Sequence, residues 1–225
     1  MDAEPLIPQH GGYRNLKSFQ LAQLVYDVTV SFCDRHIDRR SRTHDQMVQA
    51  ARSGVQNIAE GSQASGTSRK SELKLTNVAR ASLEELRLDY EDFLRQRKLD
   101  VWSPQHPALR RFRSRRCATV GEVHEWLGAE LTPLVMQSTP LAGEPGFQNT
   151  DEHMDNHGRT RTGDKPTNGA PPVLPAQLEA NAALSLLNLC CHLLNRQLDA
   201  QAAAFERKGG FTERLYHTRQ ARRQG

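Results

Sequence analysis

Between Val101 and Val120 the chain carries Arg110, Arg111, Arg113, Arg115 and Arg116, and no acidic residue. Guanidinium groups at that density suit bidentate contacts to phosphate, with release of counterions condensed on a nucleic acid. On a helix, Arg111 and Arg115 share a face at i,i+4, as do Arg110 and Arg113 at i,i+3. A second basic run closes the chain, where Arg219, Arg222 and Arg223 follow Arg214 with only Glu213 near them. The bland alternative is a solvated helix face, the common fate of a charge run. Trp102, Phe112 and Trp126 stand at spacings that suggest core packing, so base stacking is not assigned to them.

Other chemistries find little support. The chain holds no G-x-S-x-G elbow, no G-x-x-x-x-G-K-[ST] loop and no G-x-G-x-x-G turn. Glu60 has no second carboxylate or histidine placed beside it by helical spacing, so general acid–base work is not expected of it. Asp151–His157 reads D-E-H-M-D-N-H, with two histidines at i,i+4 that could hold a divalent ion on a helix. It lies in a proline-rich stretch without preorganisation, which leaves adventitious binding only. His192, beside Cys190 and Cys191, reads as a helix-surface histidine. The four cysteines (Cys33, Cys117, Cys190 and Cys191) contain no C-x-x-C and read as reduced core thiols. Cys117, after Arg115 and Arg116, is the one thiol with an electropositive setting. The expectation is a protein that is not an enzyme, with no cofactor and no metal.

The elements that must position the arginines are helical throughout. Leu16, Phe19, Ala22, Tyr26, Thr29, Cys33 and Ile37 recur at helical spacing and predict a long helix from Tyr13 to about Ile37. Thr43 and Gln46 fit a capping box for a second helix with core row Met47, Ala51, Gly54 or Val55, and Ile58, and Gly61 as its stop. A loop over 62–68 leads to a third helix, capped by Thr67 or Ser68 and running to about Lys98. Ser103-Pro104 reads as the start of a fourth helix through Leu127, weakened at Gly121 and ended by Pro133. Ala176 to Lys208 contains no Gly or Pro. Its row of Leu184, Leu187, Cys191, Leu194, Leu198 and Phe205, flanked by Leu186, Leu189 and Leu193, makes it apolar nearly all round. Such a helix must be covered on several sides, within its own bundle or between subunits.

Hydrophobic residues make up 37 % of the 225, slightly lean for a wholly packed chain, and the net charge is +4. Six of the eleven prolines fall in 138–175, which has almost no apolar periodicity. The organisation predicted is therefore 1–12 as a flexible start, 13–137 as a four-helix bundle, 138–175 as a disordered linker, and 176–225 as a helical suffix with a basic tail. No run approaches the roughly 20 apolar residues of a membrane span. The N-terminus does not read as a secretory signal either, so a cytoplasmic location and no membrane partner are expected.

Two segments carry a resemblance. QMVQAARSGVQNIAEG (Gln46–Gly61), with the motif Asn57, Ile58, Ala59, Glu60 and Gly61, precedes a serine-rich loop and LTNVARASLEELRLDYEDFL (Leu75–Leu94). Together they resemble the four-helix-bundle family of 23S rRNA intervening-sequence proteins, over roughly residues 13–100. Asn181–Arg223, with N-x-x-L-S-L-L-N-L-C-C and G-G-F-x-E-R-L elements, is similar to the suffix domain of longer members. The resemblance implies an all-α, up-and-down antiparallel bundle that forms ring-like homo-oligomers. It also implies a basic surface for RNA or DNA beside a mobile-element or RNA-processing machine, and no catalytic residues. A protein-assembly module using the apolar 181–205 helix, without nucleic acid, is the alternative. Whether that helix or residues 104–128 completes the bundle stays open at this point.

Overall fold

Phe19, Ala22, Val25, Val28 and Phe32 repeat every three or four residues along the first helix, and all are buried. A computed structural model describes residues 10–138 and 174–224. After a single 3-10 turn at Tyr13–Asn15 come α1 (Lys17–His36), α2 (Arg42–Ala64), α3 (Arg69–Gln96), α4 (Pro107–Arg115), α5 (Val120–Ser138), α6 (Pro175–Lys208) and α7 (Phe211–Gln224). The fold is all-α, with no strand among the described residues.

The helix boundaries follow local chemistry, and several differ from the sequence expectation. The cap of α2 is Ser41, whose Oγ accepts from the Thr43 amide at 3.2 Å, so Thr43 lies in the first turn and does not cap it. Gly61 does not stop α2. It lies inside the helix, where an added Cβ would stand 3.3 Å from the Glu72 carbonyl oxygen and from Leu75 Cβ, and its role is to let α3 approach. Ser68 caps α3, accepting from the Ser71 amide at 3.1 Å. The stretch after Ser103-Pro104 is a turn. Helix α4 starts instead at Pro107, whose missing N–H costs nothing in the first turn. The break that follows falls at Arg116, in the left-handed conformation (φ 53°), and not at Gly121. Helix α5 restarts with Thr119 Oγ1 accepting from the Glu122 amide at 3.3 Å, and continues past Pro133 to Ser138.

Long-range side-chain contacts set the register of the bundle. Near the start of α1, Ser18 donates to Gln197 toward the end of α6 at 2.7 Å, while His36 at the end of α1 meets Glu179 near the start of α6 at 2.9 Å. On α3, Arg69 donates to the Ala204 carbonyl at 3.1 Å. Beyond the other end of α3, the Asp100 carbonyl accepts from Gln177 and Asn181 of α6. Helix α6 therefore runs antiparallel to both α1 and α3 and is the fourth helix of the bundle, opposite α2. Leu184, Leu187, Cys191 and Leu194, from the row whose cover the sequence leaves open between its own bundle and another subunit, are buried in this core, and Leu198 and Phe205 are half-buried. Helices α4 and α5 pack on the outside of the α1–α6 seam through Leu109, Phe112, Val123, Trp126 and Leu127.

Candidate nucleic-acid interface

Helix α4 separates its two sides sharply. Ala108, Leu109 and Phe112 are buried, the Phe112 ring tilted against Trp126 with centroids 4.6 Å apart. Arg110, Arg111, Arg113, Ser114 and Arg115 face solvent. The segment ahead of α4 is tied to α6 by the Trp102 amide, which donates to Asn181 Oδ1 at 2.7 Å. Trp102 in turn stacks on His106 at 4.0 Å with planes 17° apart.

The five arginines are not equivalent. Arg111 makes a two-pronged pair with Glu130 of α5, at 2.7 and 2.6 Å. That hydrogen bonding raises the Arg111 pKa, outweighing the small cost of burial. Arg115 pairs with Glu125 at 2.5 Å. Arg113 donates to the Pro104 carbonyl, a neutral acceptor that leaves its charge uncompensated. Arg110 bonds only through its backbone, and neither its side chain nor that of Arg116 makes a hydrogen bond or ion pair among the described residues. These three, with Ser114, line one shallow concavity. The local absence of acids around the cluster thus overstated its free charge, because the fold returns α5 alongside α4 and places two carboxylates on its outer face. Arg219 and Arg223 are exposed on α7, beyond the far end of α6, and the Arg222 side chain lies outside the described residues. No hydrogen bond or ion pair among the described residues joins α7 to α4.

Asn57 donates to the Ser53 carbonyl of its own helix at 2.9 Å. Ile58 is buried, Ala59 half-buried against the core, and Glu60 exposed with no ion pair among the described residues. Asp151–His157 lies outside the described residues. Elsewhere, among the described residues, no three His, Cys, Asp or Glu side chains are grouped to hold a metal ion.

All four thiols are free. Burial pushes the Cys33 thiol up to about 12, helped by Asp34, Asp89 and Glu179, and Cys191 up to about 12, with Glu84 adding to burial. Burial raises Cys190 further still. At Cys117 burial also raises the pKa, against the lowering influence of Arg115, so its basic neighbours do not activate it. It remains the most accessible of the four. A colorimetric thiol reagent at neutral pH should titrate Cys117 first and reach the other three only on denaturation. Two or more fast-reacting thiols in the native protein would contradict this burial pattern.

One polar cluster is not legible in the sequence. Glu179, on the first turns of α6, is 2 % exposed at its side chain and is held by Arg35 and His36 from the end of α1. Arg35 also donates to Ser31 Oγ at 3.0 Å and to His124 Nε2 of α5 at 2.9 Å. The cluster fastens α1, α5 and α6 at one end of the bundle. Its sequence signal was slight: a single acid in the otherwise uncharged stretch 175–195.

Residues 15–100 match the family model described as 23S rRNA-intervening sequence protein. No curated protein and no solved structure matches the chain.

Proposed function

We propose, for a chain whose residues 15–100 match the family model described as 23S rRNA-intervening sequence protein, that the outer face of α4 binds RNA or DNA through phosphate contacts. The observation that carries this reading is the concavity of Arg110, Arg113 and Arg116, three guanidinium groups without a carboxylate partner among the described residues. Serving three phosphates, they give a sequence-tolerant, salt-sensitive interaction, with a logarithmic slope of affinity against salt of about −2 for a single strand. Arg111 and Arg115 contribute less, since each must leave a carboxylate to reach a phosphate. The chain would then act without catalysis, as an accessory of a mobile-element or RNA-processing system.

Self-association is implied by the resemblance, and the row Leu184 to Phe205 can be covered either in its own bundle or between subunits. Those side chains are occupied largely within one chain, so the reading offered here requires no second copy.

Gel shift with a labelled random-sequence RNA tests the assignment. Arg110→Glu, Arg113→Glu and Arg116→Glu combined should abolish the shift while the circular dichroism stays helical. Arg111→Gln with Arg115→Gln should weaken it only about threefold, or about 0.6 kcal/mol. Undiminished binding by the triple variant would overturn the proposal.

A further inference from the structure

Beside the cationic concavity, α1, α4 and α6 enclose an open groove of about 880 Å³. Its floor is aliphatic and aromatic, formed by Leu24, Leu109, Phe112 and Leu186, all at most 7 % exposed. Its lips carry two of the most exposed large apolar side chains among the described residues, Leu189 (51 %) and Val101 (54 %). The cause lies in α6. One of its faces fills the bundle core through Leu184, Leu187, Cys191 and Leu194, leaving Leu186, Leu189 and Leu193 on another, which short α4 covers only in part. The charged residues along the groove are Lys17, Arg113 and Arg116 against one acid, Glu91.

We infer that this groove receives an amphipathic helix of a partner protein, with leucine-like residues at i, i+3 or i+4, and i+7, and with acidic flanks that meet Lys17, Arg113 and Arg116. Helix-in-groove recognition needs an apolar trough with charged edges, and this surface supplies both. A nucleic-acid strand fits the trough poorly. Its floor presents no hydrogen-bonding edge, and one face of the Trp102 indole is already taken by His106. A second copy docked by twofold symmetry is disfavoured too, because it would gather Lys17, Arg113 and Arg116 of both copies into one interface against a single acid, Glu91, from each. The inference does not rest on RNA binding: Leu189 belongs to the groove alone, and Arg110 to the concavity alone.

The test uses the full chain and a fluorescein-labelled helical peptide of about five turns, with leucines at three-to-four spacing and glutamate flanks, read by anisotropy. Binding should be micromolar, fall about tenfold in Leu189→Gln, and persist in Arg110→Glu. With Arg113→Glu and Arg116→Glu, preference should turn to the same peptide with lysine flanks. Equal affinity of wild type for both peptides, or no binding at concentrations on the order of 100 µM, would overturn the proposal. So would light scattering that shows an oligomer dissolved by Leu189→Gln, since the occupant would then be a second copy. Loss of RNA binding alone, with peptide binding intact, would count against the α4 phosphate site and leave the groove assignment standing.

Discussion

Gly54→Val should lower the melting temperature by about 10 °C. A Cβ at Gly54 would stand 2.6 Å from Leu83 Cδ2 and 2.7 Å from its Cγ, and Leu83 is fully buried. The Leu83 side chain has no free space to swing into, so α2 and α3 must separate along a seam that also includes Ala51 and Ala79. Overpacking of this kind costs about 3 kcal/mol, and in a chain of this size each kcal/mol moves the midpoint by about 2–4 °C. Gly54→Ala should be milder, because the gain in helix propensity of about 1 kcal/mol offsets part of the clash. Leu83→Ala alone leaves a cavity and should cost about 2–5 kcal/mol. Combined with Gly54→Val it should cost less than the sum of the two, since each change relieves the other. Thermal melts followed by circular dichroism read the whole cycle. A Gly54→Val midpoint within about 2 °C of the parent would show that the seam can open without penalty.

The second large effect is expected at the opposite kind of contact. Arg35→Met removes the guanidinium that Glu179 faces and leaves a carboxylate 2 % exposed with only His36 beside it. Breaking one side of a buried pair costs about 3–5 kcal/mol. Arg35 is itself 43 % exposed, so solvent screens the pair and a loss of about 2–3 kcal/mol is the better figure. Arg35→Met with Glu179→Leu should recover most of it, because no charge is then left in the apolar setting. The loss should be local as well as global, with amide exchange accelerated first over the opening turns of α6 and over α5, which His124 ties to the same arginine. A double variant no more stable than Arg35→Met alone would assign the cost to lost packing of the arginine stem instead.

The helices themselves were readable because burial on one side of a helix leaves a mark every three or four residues. Phe19, Ala22, Thr29 and Cys33 on α1 and Met47, Ala51, Gly54 and Ile58 on α2 are buried on the predicted faces, with Tyr26 half-buried. Ends were less readable, for a definable reason. A cap is decided by which hydroxyl reaches an amide, and Ser41 and Thr43 both offer one within the same turn. Gly61 could stop a helix or admit a neighbour. The Glu72 carbonyl and Leu75, which make it the second, are more than ten residues away.

The candidate interface divides the same way. That the region around residue 110 carries a dense arginine row was plain from the chain. Which of those charges are free was not, because Glu125 and Glu130 reach Arg115 and Arg111 only after Arg116 takes its left-handed turn and folds α5 back. The identity of the fourth bundle helix also waited on packing. Residues 104–128 and 176–208 are both apolar enough to compete, and only the long, unbroken α6 runs the full length of α1 and α3. Periodicity, composition and the family motif thus determined an all-α chain with a basic segment. The tertiary structure alone decided which arginines stay uncompensated and which leucines stay uncovered, since both depend on side chains brought together from distant parts of the sequence.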